Sequence, residues 1–242
     1  MAETHEDHTV RSYDQELDQL SVSLLTLGGL VIDQVEQSVA ALVGRDADLA
    51  RKVVAREKEV NAYDTRIEEL AVQILAKRAP VGGDLRAILA MLKGGTDLER
   101  AGDEAKKIAK VARSLTEQQV PPEEVLVGRV EAMTSLVTQM LRDVLSALDD
   151  SNEELAVRVA QGDKAVDKQY RQALATMHDY LQLEGRDVHY VADAIIVLKA
   201  LERVGDHAKN IAKYVVFVVQ GRDVRHVKAK HLHKEIGDGP AQ

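Results

Sequence analysis

A stretch of thirteen residues that occurs twice limits what this chain can fold into more than any other feature. Residues 98–110 read LERAGDEAKKIAK and residues 201–213 read LERVGDHAKNIAK, identical at 10 of 13 positions. Each copy sets a glycine, Gly102 or Gly205, inside a helical pattern and puts two carboxylates one turn apart, Glu99 with Asp103 and Glu202 with Asp206. Both choices oppose an isolated helix, because an interior Gly costs about 0.8–1 kcal/mol against Ala and like charges at i,i+4 repel by roughly 0.2–0.5 kcal/mol. A chain that makes such a choice twice is built from two copies of one helical unit.

The repeat reaches beyond those stretches. Asp84-Leu85 align with Asp187-Val188 at the same offset of 103 residues, and both aspartates read as N-caps. Further back, Glu57 and Asn61 align with Asp163 and Asp167 at an offset of 106, so the connection that follows is three residues shorter in the second half. The prolines, Pro80, Pro121, Pro122 and Pro240, leave long segments free for helices. Polar or glycine-bearing breaks at 44–46, 80–83, 149–152 and 184–186 divide those segments further. The pattern predicts six helices near 11–43, 46–78, 84–116, 122–149, 152–182 and 187–220, joined by short connections that make neighbours antiparallel. The expected fold is therefore all-α, two tandem antiparallel three-helix bundles, with units at 1–120 and 121–221. Residues 222–242 form a basic tail that we expect to fray.

Composition agrees and narrows the chemistry. Only 3% of residues are aromatic, and the apolar ones are mostly Ala, Val and Leu, which suits close helix packing better than a sandwich or barrel. With no Cys, any metal must take oxygen or imidazole ligands. A net charge of −8 opposes direct nucleic-acid binding. The longest stretch without a charged residue, between Asp18 and Asp33, is 14 residues, too short to cross a bilayer. The N-terminus MAETHEDHTV lacks the basic-then-apolar order of an export signal.

Helical periodicity places the paired acids. Glu99 and Asp103 fall within about 60° of Leu85, Ile88 and Leu92, and Glu202 and Asp206 within about 80° of Val191, Ile195 and Leu198. On the preceding helices, Glu57 and Asn61 share a face with Val53, and Asp163 and Asp167 share one with Val159 and Tyr170. Each half thus carries two helices whose apolar faces give way to a pair of oxygen ligands, and a cation would stabilise such a cluster. All-oxygen ligation favours Mg²⁺, Ca²⁺, Mn²⁺ or iron over thiolate-held zinc. The mid-helix glycines read as points where a neighbouring backbone comes close. Lys106, Lys110, Lys209 and Lys213 continue the same faces, so periodicity alone equally allows solvated charge ladders that pair along a helix. Glu-x-x-His, the di-iron signature of ferritin-like bundles, is absent. His178, His189 and His207 are isolated, and Asp223, His226, His231 and His233 lie in the tail.

At these residues the chain resembles the PhoU family of phosphate-uptake regulators. The resemblance rests on residues 80–110, on 201–213, on the acidic pairs at 57–61 and 163–167, and on VVQGRDVRH at 218–226. It implies two tandem three-helix bundles in a cytoplasmic homodimer that is not an enzyme. It also implies a link between the high-affinity phosphate ABC transporter, through its ATPase subunit, and the sensor histidine kinase of the phosphate two-component system, keeping the starvation response off when phosphate is plentiful. Contact with the membrane would then be indirect. By position, iron, zinc, manganese or magnesium would be held by Glu57, Asn61, Glu99 and Asp103, and by Asp163, Asp167, Glu202 and Asp206. Asn61 leaves the first set one formal charge poorer, so weaker binding is expected there. Two other classes compete: a carboxylate-bundle protein for metal storage or metal-dependent redox chemistry, and a scaffold whose acidic ladders bind no divalent ion.

Overall fold

The computed structural model describes residues 5–185 and 187–222, with side chains from residue 11 onward. Six helices follow one another: α1 His5–Gly44, α2 Ala47–Arg78, α3 Gly82–Glu117, α4 Glu124–Asp149, α5 Glu153–Leu181 and α6 Val188–Gln220. Among the described residues there is no strand. Expected and observed ends agree closely, except that α1 begins six residues earlier than its apolar period, in a stretch whose composition is polar but free of Pro and Gly. The tail beyond Arg222 lies outside the described residues.

Local chemistry explains the starts and stops. The side chains of Asp46, Asn152 and Asp187 accept hydrogen bonds from the N–H groups of Leu49 (2.9 Å), Leu155 (3.0 Å) and His189 (2.8 Å), each satisfying a donor that an α-helix leaves free. Asp84 departs from expectation. It sits inside the first turn of α3, whose N-cap is Val81 with no side-chain cap. Gly82 takes a left-handed φ of 58° and Gly83 leads on into the helix, so α3 starts earlier than the apolar pattern shows and Asp84 favours the positive end of the helix dipole without capping it.

Two bundles, α1–α3 and α4–α6, pack side by side, chiefly through α3 against α6 and less extensively through α1 against α4. Helices α3 and α6 run antiparallel: Arg86 near the start of α3 donates to the Val218 carbonyl near the end of α6 (3.3 Å), and Glu104 meets Arg203 (3.2 Å). At the α1–α4 contact, Gly28 lies under Leu145 so closely that a Cβ there would stand 2.4 Å from Leu145 Cδ1. The core is aliphatic. Leu20, Leu24, Ile67, Ile88 and Leu98 are fully buried in the first bundle, and Leu126, Met133, Leu141, Val197 and Leu201 in the second.

The mid-helix glycines make room for both neighbours at once, and those neighbours present side chains instead of the backbone anticipated. A Cβ on Gly102 would stand 3.0 Å from Gln34 Oε1 of α1 and 3.4 Å from Val60 of α2. On Gly205 it would stand 3.4 Å from Val166 of α5 and 3.5 Å from Val137 of α4. Each bundle therefore seats both neighbouring helices against its glycine, one residue before the motif aspartate. The helix-propensity cost is offset by packing gained on two sides.

Candidate functional site

Both motif helices carry their acids at the margin of the core. Leu98, Ala101, Gly102 and Ala105 are buried on α3, as are Leu201, Val204, Gly205 and Ala208 on α6, whereas Glu99, Asp103, Glu202 and Asp206 are half-buried beside them. In the first bundle the Lys106 ammonium is hydrogen-bonded to Glu57 of α2 and lies 3.9 Å from Asp103. In the second, the repeat-equivalent Lys209 stands 2.7 Å from Asp163 of α5 and 2.6 Å from Asp206. Burial opposes the charge on Lys209, but its two carboxylates outweigh that and hold it above the ordinary lysine range. Glu202 is held by Lys199 at 2.5 Å. Asp167 is half-buried beside Asp163, and Asn61 is exposed on α2.

One acid of each facing pair thus comes together, Glu57 with Asp103 across α2/α3 and Asp163 with Asp206 across α5/α6, each joined by a lysine, whereas exposed Asn61 does not join its set. Among the described residues no three Asp, Glu or His side chains are gathered closely enough to hold a metal ion as they stand. The donor chemistry still fits a hard cation, most clearly in the first bundle. There Asp64, one turn beyond Asn61 on α2, joins the set, with its Oδ1 buried and lacking a hydrogen-bond partner. Burial pushes the Asp64 carboxyl above its ordinary range, and Glu68 adds to the rise. Burial likewise raises Glu99, reinforced by Asp103, Asp64 and Glu57 and opposed by Arg100. Tyr170 stands at the repeat position of Asp64, so the carboxylate that Asn61 lacks is restored three residues later.

These directions set a testable sign. A carboxyl raised in the fold destabilises it once ionised, and that cost disappears as pH falls through the folded value to the unfolded one. Asp64→Asn is therefore expected to raise Tm at pH 7–8 by a few degrees, equivalent to about 1 kcal/mol for a chain of this size, with the gain vanishing near pH 4. Thermal scans across pH check it. In millimolar Mn²⁺ the wild-type Tm should rise by more than that of the variant if the acid contributes to a cation site.

A second constellation lies between the bundles, and the sequence did not announce it. Asp97, 4% exposed, accepts hydrogen bonds from three residues of α6: His207 Nδ1 at 2.7 Å, Asn210 Nδ2 at 3.2 Å and Tyr214 Oη at 2.8 Å. Glu104, 5% exposed, accepts from Lys107 at 2.7 Å and from Arg203 at 3.2 Å. Beside this network a crevice of about 370 Å³ is lined by three repeat-related pairs, Arg100 with Arg203, Asp103 with Asp206 and Glu104 with His207, together with Lys107. The crevice therefore lies on the local two-fold that relates the two halves. A faint signal existed in the sequence. Of the three mismatches between the thirteen-residue copies, two are Glu104/His207 and Lys107/Asn210, of which Glu104, His207 and Asn210 pair across this interface and Lys107 bonds to Glu104 on its own helix.

Comparison with known proteins completes the description. A model of the PhoU domain matches residues 24–112 and again 130–215. A Pseudomonas putida protein described as a phosphate-specific transport system accessory protein PhoU homolog is 39% identical over 231 residues, 95% of this chain and 89% of that one. The Escherichia coli K12 phosphate-specific transport system accessory protein PhoU is 34% identical over 227 residues, 94% of this chain and 93% of that one. The crystal structure of PhoU from Pseudomonas aeruginosa superposes with a TM-score of 0.82 at 38% identity, covering 87% of this chain and all of that one. The phosphate transport system regulatory protein PhoU from Streptococcus pneumoniae gives 0.80 at 28%, over 88% of this chain and 99% of that one.

Proposed function

The chain belongs to the PhoU family, and from that premise we propose that it is a regulatory adaptor of phosphate-specific transport that keeps the phosphate-starvation two-component response off while phosphate is plentiful. It acts by contact instead of turnover, in the cytoplasm and as a homodimer, on the sensor histidine kinase and on the ATPase subunit of the phosphate ABC transporter. It meets the membrane only through those partners. No helix among the described residues is long and apolar enough to cross one.

The observation that carries this reading is the duplicated charged face. Asp103 and Asp206 remain 45% and 43% exposed while paired with lysines, and Arg100 and Arg203 of the same motif open with them on the crevice between the bundles. Half-exposed ion pairs contribute only about 0–1 kcal/mol to stability, so folding does not account for two such faces. Complementary charge accelerates encounter and selects partners far more than it stabilises a fold. A hard cation, where bound, would be held by Glu57, Asp64, Glu99 and Asp103 with Asn61, and by Asp163, Asp167, Glu202 and Asp206. It would supply positive charge able to recruit phosphate or carboxylate groups.

The test pairs cells with purified protein. Loss of the chain is expected to switch on a phosphate-starvation reporter in phosphate-rich medium, and the untagged full chain should bind the transporter ATPase and the kinase with an affinity that falls as salt rises. An unchanged reporter, together with no binding to either partner, would overturn the reading. Elemental analysis of protein purified without chelator decides the metal separately.

A further inference from the structure

A groove of about 210 Å³ opens where the two bundles meet at the far end of α3 and α6 from the motif crevice. Leu17 of α1, Met91 of α3, Leu148 of α4 and Val218 of α6 give it an apolar floor, and Asp18 and Asp84 place two exposed carboxylates on its rim. Asp84 accepts a hydrogen bond from Tyr13 (3.0 Å), which holds the carboxylate in position.

The chain leaves α6 directly beside this groove. Gly221 closes the helix with φ 71° and donates its N–H to Phe217 (2.9 Å), and a Cβ on it would stand 3.5 Å from the Arg86 guanidinium. The backbone therefore turns at the first turns of α3, next to Asp84. Twenty residues follow Arg222. Among them, 225–234 read RHVKAKHLHK, with four Lys or Arg, three His, no acid, and Val227 and Leu232 as apolar side chains, in a chain whose net charge is −8. Arg225 stands four residues beyond Gly221, where α6 ends, enough to span on the order of 13 Å if extended.

We propose that residues 225–234 of this same chain seat on the groove, their apolar side chains against Leu17, Met91 and Val218 and their cations on Asp18 and Asp84. Tethering makes the modest chemistry sufficient. A short linker confines the segment at an effective concentration of order millimolar, so a contact that would be weak between separate molecules is well populated within one. Both rim acids are exposed, so salt weakens the contact. Because α1, α3, α4 and α6 all contribute to the walls, a seated segment ties the two bundles together at this end.

The absence of Cys allows a clean test by paramagnetic relaxation. Val22, 61% exposed and adjacent to groove residue Ser21, is replaced as Val22→Cys in the full chain and carries a nitroxide. At low salt the amide signals of 225–234 are expected to lose more than half their intensity relative to the reduced label. The added exchange Asp18→Lys, at an exposed position, should restore most of that intensity, as should half-molar salt. Signals of 225–234 that keep full intensity would overturn the proposal. So would broadening that persists when spin-labelled, unenriched protein is mixed with unlabelled, isotope-enriched protein, because a second copy would then be the occupant.

Discussion

The combined exchange Glu99→Gln, Asp103→Asn, Glu202→Gln and Asp206→Asn is expected to abolish repression of the phosphate-starvation response while leaving the protein helical and folded. All four side chains lie at the core margin, so their isosteric amides leave no cavity. Lys106 keeps Glu57, and Lys209 keeps Asp163 at 2.7 Å. The repulsions that raise the Glu99 carboxyl are removed as well, which favours the fold. What disappears is the charge that faces a partner. Affinity for the transporter ATPase and the kinase should fall at least tenfold, and more at low salt than at high. Any stoichiometric metal present in the wild type should be lost with it. Circular dichroism, partner titration and the reporter assay give the three readouts. A variant that still represses fully would remove the acidic faces from the mechanism.

The second large effect is on the interface between bundles. Asp97→Ala deletes the acceptor of His207, Asn210 and Tyr214 and leaves three donors of α6 facing a buried gap. Breaking a buried, hydrogen-bonded charge network by removing one partner costs about 3 kcal/mol or more, which for a chain of this size is a fall in Tm of roughly 6–12 °C. Asp97→Asn keeps the shape and one acceptor oxygen and should cost clearly less. Calorimetry distinguishes them. The alanine variant is expected to broaden or split the transition as the bundles lose their polar coupling, whereas a narrow transition at the wild-type Tm would show that the apolar α1–α4 and α3–α6 contacts suffice.

Much of this was readable before any coordinate. Helix ends are legible because Asp187 caps as expected and the polar breaks at 44–46 and 149–152 hold Asp46 and Asn152, which cap by the same mechanism confined to two or three residues. The carboxylate faces were legible because Glu99 and Asp103, or Glu202 and Asp206, are one turn apart on a helix whose period is fixed. Asp84 was misread for a related reason: capping depends on where the backbone first turns, and two glycines permit that turn earlier than the apolar pattern shows. The lysine bridges were half legible. Lys106 and Lys209 stand three residues after their aspartates, but their reach to Glu57 and Asp163 needs the α2–α3 and α5–α6 packing. Asp64 carries no repeat signal, because Tyr170 takes its place in the second half.

By itself, the sequence determined six helices, their division into two related bundles and the identity of the paired acids, because periodicity, caps and duplication are all local. Tertiary structure alone decided that buried Asp97 and Glu104 find partners on α6 in His207 and Arg203 and that both motifs open on a shared crevice. Identity between the repeats records a fold that each half must build, whereas the contact between halves depends on how α3 crosses α6. Across α3 and α6 the partners are not repeat-equivalents: Glu104 meets Arg203, whose counterpart is Arg100, and Asp97 meets His207, whose counterpart is Glu104. A residue's place in the repeat therefore does not say what it faces until the helices are packed.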